Sequence, residues 1–158
     1  MAQWNTIATT DIVSSPQDTL ELSDIQIRNM LEAQVYTKPI GPIVRRLTFN
    51  DNTNSIYSFK RNTNSAEDPS FTLQNHINIG EDTTLRNFCV LEIFDIPGLP
   101  KAVIGYIVNA TSGVSAPPDR VELVAVSTDI EQIKKAKVNN IDTGNYDVNS
   151  DFSSFGAN

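Results

Sequence analysis

Few residues in this sequence could carry covalent or acid–base chemistry. The chain contains one cysteine, Cys89, and one histidine, His76. A serine or cysteine nucleophile needs a histidine as its base, but His76 is out of phase with the apolar residues beside it, so we interpret it as a surface histidine. Cys89 lies in the apolar run 88–94, where thiolate formation is disfavoured, so we expect it to pack in the core.

Acidic residues offer a second kind of chemistry. Glu92 interrupts the apolar run 88–94, and burial there would raise its pKa as a glycosidase acid requires, although a strand on a sheet surface would equally expose it. No glycine-rich phosphate loop is present, and the single cysteine excludes an intrachain disulfide and the Cys-rich zinc sites. We therefore expect a non-enzymatic protein with no catalytic residue, metal or cofactor.

A partial calcium motif lies near the C-terminal end. Asp147, Asn149 and Asp151 alternate as at the start of a calcium-binding loop. The pattern then fails, because Phe152 stands where the loop needs glycine and Asn158 where it needs glutamate. We interpret this segment as a solvated polar tail and leave calcium binding open.

Four basic residues could form a patch beside a turn. If residues 51–54 close a hairpin, Arg45 and Arg46 lie near Lys60 and Arg61. Basic residues among aromatic ones can bind single-stranded nucleic acid, but the net charge of −7 disfavours phosphate binding. We favour ion pairs with acidic neighbours and keep nucleic acid as a lesser alternative.

The elements that would position these residues are mostly strands. Capping-box patterns predict a helix at 24–34 and a short one at 128–138. Period-two alternation predicts about six strands, at 43–50, 55–61, 71–79, 88–94, 102–108 and 120–126. Residues 88–94 are apolar on both faces except at Glu92, which is typical of a central strand. The fold class that follows is α+β, with a largely antiparallel sheet and two flanking helices; a jelly-roll-like β-sandwich is the alternative.

The chain divides by composition into an N-terminal arm (1–22), one body (23–138) and a polar tail (139–158). We find no signal peptide and no apolar run long enough to span a membrane, so we expect a soluble protein. The sequence has 16 Asn, 13 Ser and 14 Thr, residue types that favour turns. Each arm carries isolated apolar anchors that could dock on neighbouring subunits. These subunit-contact candidates are Trp4, Ile7, Ile12, Tyr146, Phe152 and Phe155.

These features predict a structural subunit of a symmetric assembly. The favoured assembly is a virus or bacteriophage particle, in which the chain would be a coat, cement, connector or tail protein. Its partners would be copies of itself or other virion proteins, with no membrane, and its acidic charge suits a position away from the genome. The alternative is a carbohydrate- or ligand-binding β-domain that uses Tyr57, Tyr106 or Trp4 as a stacking platform.

Overall fold

A computed structural model describes residues 5–9, 13–110 and 118–157 of the chain. These residues form strands and connecting segments, with no helix among them. All pairings between the strands are antiparallel. The α+β prediction is therefore wrong, and the β-sandwich alternative fits.

The larger sheet has nine strands. Its spatial order is β1 (Asn5–Thr9), β15 (Asp151–Ala157), β3 (Met30–Thr37), β10 (Asn87–Phe94), β11 (Lys101–Asn109), β12 (Asp119–Ser127), β6 (Tyr57–Thr63) and β7 (Ala66–Glu67), with β8 (Phe71–Gln74) also paired to β6. The run 88–94 thus lies in a central strand, as its two-sided apolar pattern predicted.

The smaller sheet has four strands and packs against one face of the larger one. Its order is β2 (Thr19–Leu22), β13 (Ala136–Asn140), β5 (Ile43–Phe49) and β9 (Ile77–Thr83), while β4 (Pro39–Ile40) and β14 (Asn145–Tyr146) form a separate pair. The core lies between the two sheets, because alternate side chains of each strand point inward. Leu47 from the small sheet and Leu91 and Leu123 from the large sheet are almost fully buried in one cluster.

The predicted helix at 24–34 is wrong. Residues 24–29 are irregular, Asp24 has a φ of 54°, and β3 begins at Met30. The apolar residues here follow the alternation of a strand and not the spacing of a helix. Leu31, Ala33 and Val35 face the core, while Ile27 is exposed. The spacing fitted both periods over this short stretch.

The predicted helix at 128–138 is also wrong, because its backbone groups bond elsewhere. The Lys101 ammonium donates to the carbonyl oxygens of Asp129 and Glu131, and the Asp95 carboxylate accepts from the Ile133 amide at 2.8 Å. A helix would need those groups for its own hydrogen bonds. Residues 128–135 are irregular, and β13 follows them.

The predicted strand at 71–79 is two strands in different sheets. Leu73 adopts a φ of 53° and is 74% exposed, which breaks the alternation. β8, which contains Leu73, belongs to the large sheet, and β9 belongs to the small one. The turn at 51–54 likewise connects two sheets, since β5 lies in the small sheet and β6 in the large one, and the two strands do not pair.

Candidate functional site

The outer face of the large sheet is the most distinctive surface of the described residues. On β10, β11 and β12 the side chains alternate strictly, so one set enters the core and the other set faces away from the small sheet. The outward set is largely apolar, and six of its large side chains are between 40 and 55% exposed. We call this set the apolar face: Phe88, Val90, Phe94, Ile104, Tyr106, Val108, Val124 and Val126.

Strand register brings the apolar face together. Phe88 lies opposite Val108, and Ile104 lies opposite Val124. Directly opposite side chains on one face of a sheet are close enough to touch. The residues therefore form a continuous patch, and patches of this kind mark binding surfaces more often than single exposed apolar residues do.

Charged residues stand at the two sides of the apolar face and, as the Arg120–Glu122 ion pair, towards one end of β12. Glu92 on β10 lies directly opposite Glu32 on β3, and Lys60 on β6 lies directly opposite Val124. Gln34 donates a 2.8 Å hydrogen bond to the Glu32 carboxylate. Two carboxylates in directly opposite positions repel each other, so this face carries a negative side at β3 and β10 and a lysine at β6.

A shallow groove extends the apolar face at its β6 side. Its volume is about 270 Å³, and Phe71, Val124 and Val126 supply apolar wall atoms, with Lys60 at its rim. Phe71 stacks on Phe59 with 4.8 Å between the ring centroids. Phe59 faces the core, so Phe71 also packs against the core side of β6, and the outward positions of β6 are the polar residues Ser58, Lys60 and Asn62.

A buried cation lies between the sheets. Arg45 on β5 is completely buried; its Nε donates to Thr37 Oγ1 at 2.7 Å and its Nη2 to the Leu85 carbonyl at 3.1 Å. Nothing among the described residues accepts a hydrogen bond from its Nη1, and the buried Tyr146 hydroxyl is likewise without a partner there. Burial lowers the pKa of Arg45 to about 10, so the guanidinium is still protonated at neutral pH.

Gly80 makes room for the Arg45 side chain. A Cβ atom at Gly80 would stand 2.9 Å from Arg45 Nη1 and 3.0 Å from its Cδ. We therefore assign Arg45 a structural role, in which its donors tie β5 to the large sheet.

A second buried polar group is Lys101 with Asp95. Both are about 1% exposed, and the Lys101 Nζ lies 3.7 Å from Asp95 Oδ1. Burial raises the pKa of Asp95 despite the nearby lysine and the Ile133 amide. Because these groups also bind the 128–135 backbone, they hold that connection against the end of β11.

The predicted subunit-contact residues separate into three groups. Trp4 and Ile12 lie outside the described residues, and Ile7 lies in β1, which pairs with β15. Tyr146 and Phe152 are fully buried in the chain's own core. Phe155 points outward on β15, opposite Glu32, and is half-buried. The described part of the predicted C-terminal tail is thus built into the body as β14, β15 and part of β13.

The structure does not bring the predicted basic patch together. Arg45 is buried between the sheets, and Arg46 points to the opposite side of β5. Lys60 faces outward from the large sheet, whereas Arg61 faces inward, 3.6 Å from Asp68 and over the Phe71 ring. The patch depended on a β5–β6 hairpin that does not form.

The residues considered for catalysis are placed as follows. Cys89 is fully buried, and burial raises the pKa of its thiol. His76 is only 9% exposed, so its interpretation as a surface histidine is wrong; burial and the nearby Arg46 lower its pKa to about 4. Its position changes face because the strand breaks at Leu73. Glu92 is exposed on the outer face of the large sheet.

The partial calcium motif is engaged in other contacts. Asp147 pairs with Lys38 at 2.5 Å and accepts the Val148 amide, while Asn149 adopts a φ of 70°. No group of three or more His, Cys, Asp or Glu residues with metal-site geometry occurs in the part of the chain that the structure describes.

The apolar face was missed as a site, although its signal was visible. Residues 88–94 are apolar at both parities, which indicated a strand covered on both sides. The small sheet covers only one side of β10, and the other side is left open. Ile104, Val108, Val124 and Val126 repeat the same two-sided pattern on β11 and β12.

The sequence matches no protein-family model, and no curated protein matches it significantly. No helix of the described residues could span a membrane.

Proposed function

We propose that this chain is a non-enzymatic structural subunit of a symmetric assembly. The observation that carries the proposal is the apolar face, which presents six large side chains at 40 to 55% exposure on three neighbouring strands. Burying apolar surface is the main favourable term in protein association. Subunit contact would cover β10, β11 and β12 on the side that the small sheet leaves open.

The placement of the reactive groups supports a role without chemistry. The Cys89 thiol is buried with a raised pKa, and the Lys101 ammonium is held by two carbonyl groups and Asp95. His76 is buried with a pKa lowered to about 4. Each of these groups serves packing or connects segments of the fold.

The contact differs from the one that the sequence suggested. Tyr146 and Phe152 are buried in their own chain and do not offer a surface to a neighbour. We therefore propose sheet-to-sheet contact through the apolar face as the main joint, with the half-buried Phe155 at its margin beside Glu32.

The assembly that we propose is a virus or bacteriophage particle. Its support is compositional: the chain is rich in Asn, Ser and Thr, has one cysteine and carries a net charge of −7. An acidic subunit suits an outer, neck or tail position better than a genome-lining shell. Mass spectrometry of purified particles from the source should detect the chain; its absence from particles would remove this half of the proposal.

Sedimentation equilibrium tests the assembly itself. The purified protein should form a defined oligomer, and Val124→Asp should weaken association roughly a hundredfold, because it places a charge in the centre of the contact. Val44→Asp is the matched control, since Val44 points outward from the small sheet. A protein that stays monomeric at every concentration, or equal weakening by both variants, would overturn the proposal.

Carbohydrate or ligand binding is the second candidate, because Tyr106 is 53% exposed. Tyr57 cannot serve as a platform, since it is fully buried with its hydroxyl bonded to the Phe49 amide. The neighbours of Tyr106 on its own strand are Ile104 and Val108, which offer no hydrogen bonds to a sugar. Glycan-array binding that Tyr106→Ala abolishes, by a monomeric protein, would favour this function over assembly.

A further inference from the structure

We infer that two copies of this chain pack their large sheets face to face about a two-fold axis that runs parallel to the strands, between β11 and β12. This inference rests on the proposed assembly and specifies its partner and geometry. The occupant of the apolar face is then the same face of a second copy.

The order of residues along one row of the sheet carries the inference. The register places Glu32, Glu92, Ile104, Val124 and Lys60 in successive positions on β3, β10, β11, β12 and β6. The row is acidic at one end, apolar in the middle and basic at the other end. Such a row is complementary to its own reversed copy.

A two-fold axis between β11 and β12 reverses the row. It places Ile104 of one copy over Val124 of the other, and Glu92 of one copy over Lys60 of the other. Each contact occurs twice, because a two-fold interface is isologous. The neighbouring row places the Tyr106 hydroxyl of one copy over the Glu122 carboxylate of the other, where it can donate a hydrogen bond.

Charge favours a second copy over a different partner. Glu32 and Glu92 repel each other within one chain, and an opposing lysine reduces that repulsion. A uniformly basic partner would meet Lys60 with a like charge, and an acidic one would meet the two glutamates. The same face supplies both signs in the required order.

The available area agrees with a two-fold dimer. The axis superposes β10, β11, β12 and β6 of one copy on the same four strands of the other. At about 4.8 Å spacing, with about eight residues of 3.3 Å in each strand, these four cover roughly 500 Å² on each copy. The pair would bury roughly 1,000 Å² there, which is the lower bound of about 1,000 Å² for a biological interface, and contact of β3 with the strands beyond β6 would add to it. The groove beside Phe71 adds apolar surface at the edge of this area.

Charge reversal tests the axis. By sedimentation equilibrium at low salt, Lys60→Glu and Glu92→Lys should each weaken dimerisation roughly tenfold, because each places like charges opposite each other twice. The double variant restores opposite charges and should dimerise within roughly threefold of wild type. The control pair Lys134→Glu and Glu131→Lys lies in the 128–135 connection, away from the apolar face, and should leave dimerisation unchanged.

The outcomes separate this inference from the proposed function. If the double variant dimerises no more strongly than the single variants, the two-fold axis is overturned. If Val124→Asp still abolishes association in that case, the proposed assembly stands without this axis. A trimer or larger ring without a dimer also overturns the axis. A wild-type protein that never associates overturns both, and circular dichroism of each variant distinguishes lost contact from lost fold.

Discussion

The outer faces of the two sheets are built differently. On the small sheet and the loops beside it, Lys135 and Lys137 each pair with both Glu21 and Asp51, at distances from 2.5 to 3.2 Å. On the large sheet the corresponding surface is largely apolar. It carries one exposed ion pair, Arg120 with Glu122, and two glutamates, Glu92 and Glu32, in directly opposite positions. A surface that stays in contact with water is stabilised by paired charges, whereas the centre of a protein interface is apolar and poor in charged residues. This difference is why we propose the outer face of the large sheet, and not that of the small sheet, as the contact surface.

The largest expected effect separates the two sides of β12. Leu123→Ala should lower the free energy of unfolding by about 2–5 kcal/mol, because Leu123 is 1% exposed in the core. Val124→Ala should change it by less than about 0.5 kcal/mol in the monomer, because Val124 is 55% exposed. Urea unfolding at low protein concentration measures both. Equal losses would mean that the outer face already serves the single chain.

The next effect concerns His76, where the chain passes from the large sheet at β8 to the small sheet at β9. Its pKa is lowered to about 4 in the folded chain, against about 6.5 when unfolded. Below pH 6.5 the unfolded chain binds a proton that the folded chain does not, so stability falls as pH drops from 6.5 towards 4, by up to roughly 2 kcal/mol at pH 5. His76→Gln should flatten this dependence in urea unfolding between pH 7 and 5. An unchanged slope would contradict the burial of the ring.

A smaller effect compares the charges of the two faces. Lys137→Met should cost less than about 1 kcal/mol at low salt, and Arg120→Met on the large sheet should cost less still, because the Arg120–Glu122 pair is more exposed. Thermal unfolding with and without 1 M salt, where the Debye length is about 3 Å, measures the difference. A loss that salt does not reduce would show that packing, rather than charge, supports the small sheet.

The charge cluster also has a pH signature. The pKa of Glu21 is lowered, mainly by its hydrogen bond from Ser23, and that of Asp51 is lowered by Lys137 and Lys135. Its contribution is therefore present above the unfolded pKa values of both acids and is lost as pH falls through their lowered folded values. Lys137→Met should weaken this acid dependence.

The smallest effect is a gain on the large sheet. Glu92→Gln should stabilise the monomer by about 0.2–0.5 kcal/mol at low salt, because it removes repulsion with Glu32. Glu131→Gln, in the connection before β13, is the matched change without a like charge opposite it. Chemical unfolding of both variants beside wild type is the measurement. A destabilised Glu92→Gln would mean that Glu92 has a favourable partner within its own chain.

Local alternation was enough to predict the central strands of the fold. β5, β6, β10, β11 and β12 begin and end within a few residues of the predicted ranges, since strict period two leaves few other structures possible. The helices failed for a long-range reason: Asp95 and Lys101 occupy the backbone groups that a helix at 128–138 would need. No local pattern reports contacts of that kind.

The ends and the site were harder to predict. The polar composition of residues 139–158 suggested a tail, but Phe152 and Ser154 enter the core while Ser153 and Phe155 face outward, which is the alternation of a strand. In the sequence, the apolar face was visible as strands with apolar residues at both alternating sets of positions. Which side the small sheet covers depends on how the sheets stack, and alternation alone does not contain that information.

The place of β15 has a consequence for the order of folding. It lies between β1 and β3, pairing Phe155 with Thr6 on one side and with Glu32 on the other. β3 therefore gains its second neighbour only after more than a hundred further residues have been synthesised. Pairing across such separations makes folding slow, in milliseconds to seconds. During synthesis on the ribosome, one edge of β3 stays open until β15 emerges, so the large sheet closes late and its unfinished edge is the segment that a chaperone would most need to shield.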